Sequence, residues 1–239
     1  MIPKTIHYCW FGAGSKSRLI KKCIASWQKY LPDYELVLWN ESNFDLSQYP
    51  FAKEAYDCQK YAFVADVARL HALAEYGGVY LDTDVEVLRP FDDLLSLKAF
   101  IGFEQTGVIQ TGVIGAEPHH HVIEEMLEYY IRRAGFDRVA DGTVANSTLF
   151  ADYFKRTGIL LTDRTAHYES ISLFASECFC PINQATQEII VTPQTYCIHY
   201  LAGSWLPVKD RFTRWIKSSM GNWFGFGFID SARKLLGRK

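Results

Sequence analysis

Residues Gly77 to Val87 read GGVYLDTDVEV and combine the features of a buried strand with two carboxylates. Apolar residues alternate here with others, which predicts a strand over residues 79–88. Asp82 and Asp84 interrupt this apolar run one residue apart. A carboxylate is costly to bury unless it is hydrogen-bonded, paired with a cation or bound to a metal. The segment therefore predicts either a functional polar site or, more simply, a half-exposed strand with an acidic outer face.

The spacing of the two aspartates suits a metal ion. Strict alternation places Tyr80, Asp82, Asp84 and Glu86 on one face of the expected strand. Residues two apart lie about 6.6–6.8 Å apart along a strand, so both carboxylates can converge on one cation from the strand's end. Ligands of open α/β sheets bind at the carboxyl ends of the strands. Oxygen ligands favour Mg²⁺ or Mn²⁺, cations that characteristically hold a diphosphate.

The segments before this motif predict an α/β fold. Residues 5–11 form an apolar run, apolar residues then recur at helical spacing up to Tyr30, and residues 35–39 form a second strand-like run. This β-α-β opening indicates a parallel sheet covered by helices. A strongly apolar helix is expected over residues 52–76, ending at Gly77. Asp66 and Arg69 share one face of it, either as a functional pair or as an intrahelical ion pair of little energetic value.

Two nucleotide-binding motifs fail on inspection. Gly12-Ala13-Gly14 begins a G-x-G-x-x-G pattern, but Ser17 occupies the last position. Gly14-Ser15-Lys16-Ser17 does not form a G-K-[ST] sequence either. The chain is therefore not expected to be a dinucleotide enzyme or a P-loop NTPase.

Length and charge suggest one large domain with a distinct tail. The chain has 239 residues, 49% hydrophobic residues and a formal net charge of −2, which gives no case for nucleic-acid binding. Residues 209–239 contain eight Lys or Arg and only two Asp. We therefore expect a catalytic domain over residues 1–208 and a basic, aromatic, amphipathic tail over residues 209–239 that contacts an anionic membrane surface.

Two further features bear on the compartment. The sequence shows neither a signal peptide nor an apolar run of the roughly 20 residues that a membrane-spanning helix needs. The six cysteines lack paired C-x-x-C spacing and are expected to be reduced core residues. We expect a cytoplasmic protein, peripheral on the inner face of the cell membrane.

Four blocks of sequence, in chain order, carry a family resemblance. They are Ile2-Pro3-Lys4-Thr5-Ile6-His7-Tyr8-Cys9-Trp10-Phe11-Gly12; Ser26-Trp27 with Pro32-Asp33-Tyr34-Glu35 and Trp39; Asp66-Val67-Ala68-Arg69-Leu70 with Gly77 to Val85; and His199-Tyr200-Leu201-Ala202-Gly203-Ser204-Trp205. Together they resemble glycosyltransferase family thirty-two, the group with a sugar-binding region containing a DXD motif. The resemblance implies a GT-A-type nucleotide-diphospho-sugar transferase fold with a mostly parallel central sheet and flanking helices.

The resemblance also implies roles for individual residues. Asp82 and Asp84 would hold Mn²⁺ or Mg²⁺ on the donor diphosphate, with Asp82 also near the ribose, and His199 would be a further metal or phosphate ligand. The other implied donor-binding residues are Trp10 on the nucleotide base, Asp66 and Arg69 on the sugar, and Ser204 and Trp205 over the diphosphate. The family's N-G-P element is absent from residues 142–148, so no acceptor residue is predicted.

The implied activity is a retaining, metal-dependent hexosyl transfer. The expected donor is a nucleotide sugar, UDP-linked by analogy with bacterial relatives, and the acceptor a saccharide, in particular a lipid-linked one used in capsule or surface polysaccharide synthesis. One alternative is a haloacid-dehalogenase-like phosphatase with a D-x-D-x-[TV] motif, although Glu86 occupies its fifth position. Another is a non-enzymatic lectin-like or membrane-binding module.

Overall fold

The computed structural model describes residues 1–136, 145–183 and 186–202. Their α-helices are α1 (Arg18–Tyr30), α2 (Pro50–Asp57), α3 (Tyr61–Tyr76), α4 (His121–Ile131), α5 (Asn146–Arg156) and α6 (Ser176–Phe179). Their strands are β1 (Thr5–Cys9), β2 (Glu35–Trp39), β3 (Gly78–Leu81), β4 (Val85–Val87), β5 (Ala99–Gln105), β6 (Val108–Ala116), β7 (Ala166–His167), β8 (Ser172–Phe174) and β9 (Cys197–His199).

Seven of these strands form one mixed sheet in the order β2-β1-β3-β6-β5-β8-β7. Strands β1, β2, β3, β5 and β8 run in the same direction, and β6 and β7 run against them. The β-α-β opening pairs β1 with β2 in parallel, as expected. Strands β4 and β9 form a separate antiparallel ribbon. The expected α/β architecture with a mostly parallel sheet is confirmed.

Helices cover both faces of the sheet and divide the core in two. One cluster lies between the sheet and helices α2 to α5, and the other packs α1 and the β4-β9 ribbon against the opposite face. Helix α3 is buried along most of its length, so its apolar sequence reflects packing on several sides. Its buried polar residues Asp66 and Arg69 therefore require partners inside the protein.

The glycine pair makes the turn from α3 into β3. Gly77 has φ of 62° and Gly78 has φ of 101°, both in the left-handed region that favours glycine. A Cβ on residue 78 would lie 2.7 Å from the carbonyl oxygen of Thr5 in the neighbouring strand. The pair allows the buried helix and the central strand to meet without a longer loop.

The expected strand over residues 79–88 is wrong. Strand β3 ends at Leu81, and the backbone N–H of Val85 bonds the carbonyl oxygen of Asp82 over 3.0 Å, which closes a tight turn. The chain then continues as β4 in the separate ribbon. Asp82 and Asp84 therefore do not share a strand face, and a turn brings them together instead.

The expected single helix over residues 52–76 is also wrong, because the chain breaks between α2 and α3. Gln59 has φ of 57°, its N–H bonds the carbonyl of Tyr56, and the N–H of Lys60 bonds the carbonyl of Ala55. This is the hydrogen-bond pattern of a Schellman cap. The apolar periodicity continues across the break, so it gave no sign of two helices.

Other expectations concern the cysteines and the tail. Cys9, Cys23, Cys178, Cys180 and Cys197 are buried free thiols, as expected for core residues, whereas Cys58 is only partly buried and packs against the core. Within the described part of the chain, no helix combines the length and apolar character needed to cross a membrane. The expected domain boundary at residue 208 and the tail over residues 209–239 lie outside the described residues.

Candidate functional site

Asp82, Asp84 and His199 converge at the end of the central strand β3. Each offers one ligand atom, and these atoms all lie within 4.8 Å of one another. Nε2 of His199 is 3.8 Å from Oδ2 of Asp82 and 3.5 Å from Oδ1 of Asp84. The ribbon register creates this meeting, since Val85 at the start of β4 pairs with His199 at the end of β9.

In each aspartate, one carboxylate oxygen accepts hydrogen bonds from protein groups and the other oxygen faces His199. Oδ1 of Asp82 accepts from the hydroxyl of Tyr80 over 2.9 Å and from Nη2 of Arg69 over 3.2 Å. Oδ2 of Asp84 accepts from the backbone N–H of Ala202 over 2.7 Å. Oδ2 of Asp82 and Oδ1 of Asp84 therefore remain as a convergent pair of anionic ligands.

The residues present fit a divalent cation. His199 is buried, and its Nε2 faces one oxygen of each carboxylate. A Cβ on residue 112 would lie 2.5 Å from Cε1 of His199, so Gly112 makes room for the ring. Two carboxylate oxygens and one imidazole form a donor set that suits a divalent metal such as Mn²⁺ or Mg²⁺.

The electrostatics of the cluster reflect the close approach of these groups. Burial lowers the pKa of His199, but Asp84 and Asp82 outweigh it and raise the pKa above its usual value. Burial raises the pKa of Asp84, but His199 and the backbone N–H of Ala202 outweigh it and lower the pKa. The lowered pKa of Asp84 favours the ionised carboxylate that a cation ligand requires, whereas His199 must give up its proton before it can bind a cation.

Asp66 and Arg69 lie beside this cluster, on the inner face of α3. Nη2 of Arg69 is 3.2 Å from Oδ1 of Asp66, and Nη1 donates to the carbonyl of Thr111 over 2.6 Å. Burial raises the pKa of Asp66 to about 6 against the opposing effect of Arg69. The expected pair is thus part of a larger ion-pair network that includes Asp82.

Asn146 is a buried residue that sequence reasoning did not single out. Its Nδ2 donates to the backbone carbonyl of Asp66 over 3.0 Å, and its Oδ1 accepts from the hydroxyl of Tyr130 over 2.8 Å. Asn146 is the first residue of α5 and directly follows the N-cap residue Ala145. In the sequence, Asn146 is marked only by its place in residues 142–148, where the family's N-G-P element is missing.

Trp10 follows β1 at the same edge of the sheet as the aspartates. Strands β1 and β3 are parallel neighbours, so the residues after Cys9 and after Leu81 leave the sheet side by side. The indole is partly buried, its Nε1 donates to the carbonyl of Gly14 over 3.0 Å, and Nζ of Lys16 lies 5.0 Å from the ring centre. Its contact with a base stays a prediction. Ser204 and Trp205 lie outside the described residues.

Comparison with known proteins places the chain in a family. Residues 17–101 match the model described as "Glycosyltransferase sugar-binding region containing DXD motif". The uncharacterized glycosyltransferase L373 of Acanthamoeba polyphaga mimivirus is 31% identical over 87% of this chain and 85% of its own length. The chain belongs to the DXD-motif glycosyltransferase family. This membership excludes the phosphatase and the lectin-like module as the family of this chain.

A second relative shares a shorter region. Inositol phosphoceramide mannosyltransferase 3 of Schizosaccharomyces pombe is 33% identical over 126 residues, 50% of this chain. This chain covers only 34% of that relative's length. The solved structure of the PaToxG glycosyltransferase matches with a TM-score of 0.50 at 18% identity, over 65% of this chain and 69% of that chain. The expected GT-A fold class is confirmed.

Proposed function

We propose that this glycosyltransferase moves a hexose from a nucleotide sugar to a lipid-linked acceptor, with the aid of a divalent cation. The observation that carries the proposal is the convergence of Asp82, Asp84 and His199 within 4.8 Å, directly beside the ion pair of Asp66 and Arg69. The Asp82, Asp84 and His199 set is suited to a diphosphate-bound cation, and the Asp66–Arg69 pair is suited to sugar hydroxyls. Their adjacency matches the layout of a nucleotide sugar.

Asp82, Asp84 and His199 would hold Mn²⁺ or Mg²⁺. When bound, the cation supplies positive charge to the departing nucleoside diphosphate and so stabilises the negative charge that develops there. Arg69 keeps Asp82 in place and adds a fixed positive charge near the leaving group. Trp10 would stack on the base, and Ser204 and Trp205 would contact the diphosphate.

Asp66 and Arg69 would contact the hydroxyl groups of the donor sugar. Asp66 is held on both sides, by Arg69 at its carboxylate and by Asn146 at its backbone carbonyl. A carboxylate fixed in this way accepts sugar hydroxyls at a defined distance, which favours one hexose over its epimers. We propose retention of configuration at the anomeric carbon.

The acceptor proposal rests on relatives and on composition. Several relatives are named inositol phosphoceramide mannosyltransferases, so their names indicate mannose transfer to a lipid. The basic, aromatic sequence over residues 209–239 is suited to an anionic membrane surface. We propose that the enzyme works at the cytoplasmic face of the membrane on lipid-linked saccharides or glycolipids. The role in capsule or surface polysaccharide synthesis stays a prediction.

A donor panel tests the proposal. The protein is incubated with UDP-, GDP- and dTDP-sugars, anionic vesicles containing inositol phosphoceramide or polyprenyl-linked saccharide, and Mn²⁺, and both nucleotide release and glycolipid product are measured. We expect release from one donor that stops on chelation of the metal. Asp84→Asn should lower it roughly a hundredfold or more, as the loss of several kcal/mol of stabilisation requires. Near-normal turnover in folded Asp84→Asn would contradict the metal site.

A further inference from the structure

Lys22, Glu86 and Tyr200 form a cluster behind the candidate metal site. Nζ of Lys22 lies 2.7 Å from Oε2 of Glu86 and 3.3 Å from the hydroxyl of Tyr200. That hydroxyl donates in turn to the same oxygen of Glu86. The three residues come from α1, from β4 and from the position directly after β9. We call them the Lys22–Glu86–Tyr200 cluster.

The cluster adjoins two of the three candidate ligands. Tyr200 directly follows His199, and its backbone N–H donates to the carbonyl of Asp84 over 3.1 Å. Glu86 lies two residues after Asp84, in the middle of strand β4. The regular pairing of β4 with β9 ends at Val85 and His199. Beyond that pair, Tyr200 makes the next contacts between the two segments. Its backbone N–H bonds Asp84 in the turn, and its hydroxyl bonds Glu86 in β4.

Strand β4 has other attachments to α1, so the cluster is not needed to hold that strand. Nε1 of Trp27 donates to the carbonyl of Val85 over 2.7 Å, and Oγ of Ser26 accepts from the N–H of Val87 over 2.9 Å. Both bonds are buried. The bond between Tyr200 and Glu86 instead fixes the residue that follows His199. We therefore expect the loss of the Tyr200–Glu86 hydrogen bond to change the positions of His199 and Asp84.

Burial separates this cluster from an ordinary surface ion pair. Exposed pairs contribute little because water screens them and long side chains lose freedom. Lys22 is 57% exposed, but the side chain of Glu86 is only 14% exposed. Its Oε2 accepts from both partners at once. Glu86 and Tyr200 thus form the better-shielded part, and Lys22 supplies the balancing charge.

We infer that Glu86 and Tyr200, assisted by Lys22, are positioning residues that set the divalent-cation affinity of the Asp82–Asp84–His199 site. The inference rests on the proposed function, because it requires that site to hold a cation. Residues that orient metal ligands typically change metal affinity by roughly 10- to 100-fold when they are altered. Neither Glu86 nor Tyr200 would itself touch the cation.

Mn²⁺ binding tests the inference without an activity assay. The full chain is titrated with Mn²⁺ in the presence of UDP, and free Mn²⁺ is measured by electron paramagnetic resonance. We expect Tyr200→Phe and Glu86→Gln to bind Mn²⁺ about tenfold more weakly than the unmodified chain. Lys22→Arg, which keeps the charge, should retain most of the affinity. Thermal unfolding is followed for every variant.

Tyr196→Phe is the matched control. The hydroxyl of Tyr196 also donates to a carboxylate, Oδ2 of Asp93, over 2.6 Å, but it precedes β9 and lies at the other end of the ribbon. Loss of the Tyr196–Asp93 hydrogen bond tests whether any tyrosine–carboxylate bond next to this ribbon changes the Mn²⁺ affinity. We expect Tyr196→Phe to keep the Mn²⁺ affinity of the unmodified chain.

Two results overturn the inference, and they are distinguishable. If the unmodified chain binds Mn²⁺, Asp84→Asn does not, and Tyr200→Phe and Glu86→Gln match the unmodified chain or Tyr196→Phe, the cluster has no positioning role. If the unmodified chain fails to bind Mn²⁺ with or without UDP, the proposed metal site itself is wrong and the inference with it. Weaker binding by both cluster variants, but not by Tyr196→Phe, supports it.

Discussion

Arg69 and Asp82 form an ion pair between α3 and the turn after β3, with Nη2 of the arginine 3.2 Å from Oδ1 of the aspartate. The guanidinium also lies 4.6 Å from the ring centre of Tyr80, which donates to the same oxygen. These contacts turn Oδ2 of Asp82 towards His199. A helix residue thereby sets the direction of a candidate metal ligand in the turn after β3.

Arg69→Ala should destabilise the protein by about 3–5 kcal/mol, because it leaves buried Asp66 and partly buried Asp82 without their cation. Urea unfolding followed by circular dichroism measures this change. Lys53→Ala is the control, since Lys53 pairs with Asp57 on the exposed surface of α2 and should have little effect. Equal stability of the two variants would show that the buried network does not depend on Arg69.

Trp10→Ala should weaken the binding of free UDP and of the whole donor by similar factors. Loss of a base-stacking ring costs roughly 1–3 kcal/mol, so calorimetry should show an affinity lower by about 5- to 150-fold. Trp39→Phe serves as the control, because Trp39 is buried in the core. We expect that variant to lose stability and to keep its UDP affinity. Unchanged UDP affinity in Trp10→Ala would make Trp10 a packing residue.

His7 should make the stability depend on pH below neutrality. Its Nδ1 accepts from Nε1 of Trp39 over 3.1 Å while its Nε2 bonds the carbonyl of Gly77 over 2.8 Å, an arrangement that only the neutral ring satisfies. Burial lowers the pKa of His7 from 6.5 to about 4. Between these values the unfolded chain binds the proton more readily than the folded chain, so folding stability falls as pH falls.

The contribution of His7 is therefore fully present above about pH 6.5 and is lost towards pH 4. Its upper limit is roughly 3 kcal/mol, from the pKa difference. Urea unfolding between pH 4.5 and 7.5 should show a steeper decrease for the unmodified chain than for His7→Gln. Parallel curves for the two proteins would mean that His7 is not held neutral.

The tail should attach the enzyme to anionic membranes. The sequence of residues 209–220 predicts an amphipathic helix, with Phe212, Trp215, Ile216 and Met220 on one side and Arg211, Arg214 and Lys217 on the other. In liposome flotation, the full chain should float with anionic vesicles, and a chain ending at Val208 should not. Cationic side chains near such a surface contribute about 1 kcal/mol each, so high salt should release the full chain. Equal flotation of both chains at low salt would refute this role.

The sequence by itself determined the local features of the protein. The glycine pair, the aspartates one residue apart and the buried Asp66–Arg69 helix face each depend on residues close together in the chain, where steric rules and periodicity act directly. The β-α-β opening likewise follows from short-range pattern and fixed the class of sheet. For the same reason the sequence located four residues of the candidate site: Asp66, Arg69, Asp82 and Asp84.

Only the tertiary structure decided how those features meet. Periodicity could not show that the strand ends at Leu81, because the apolar pattern resumes at Val85 for burial in a different sheet. No local rule places His199 against Asp84, since that contact follows from the register of β4 with β9. In each aspartate, one carboxylate oxygen bonds a protein donor and the other faces His199. This arrangement depends on packing between segments that are distant in the sequence. Such packing has no short-range signature in the sequence.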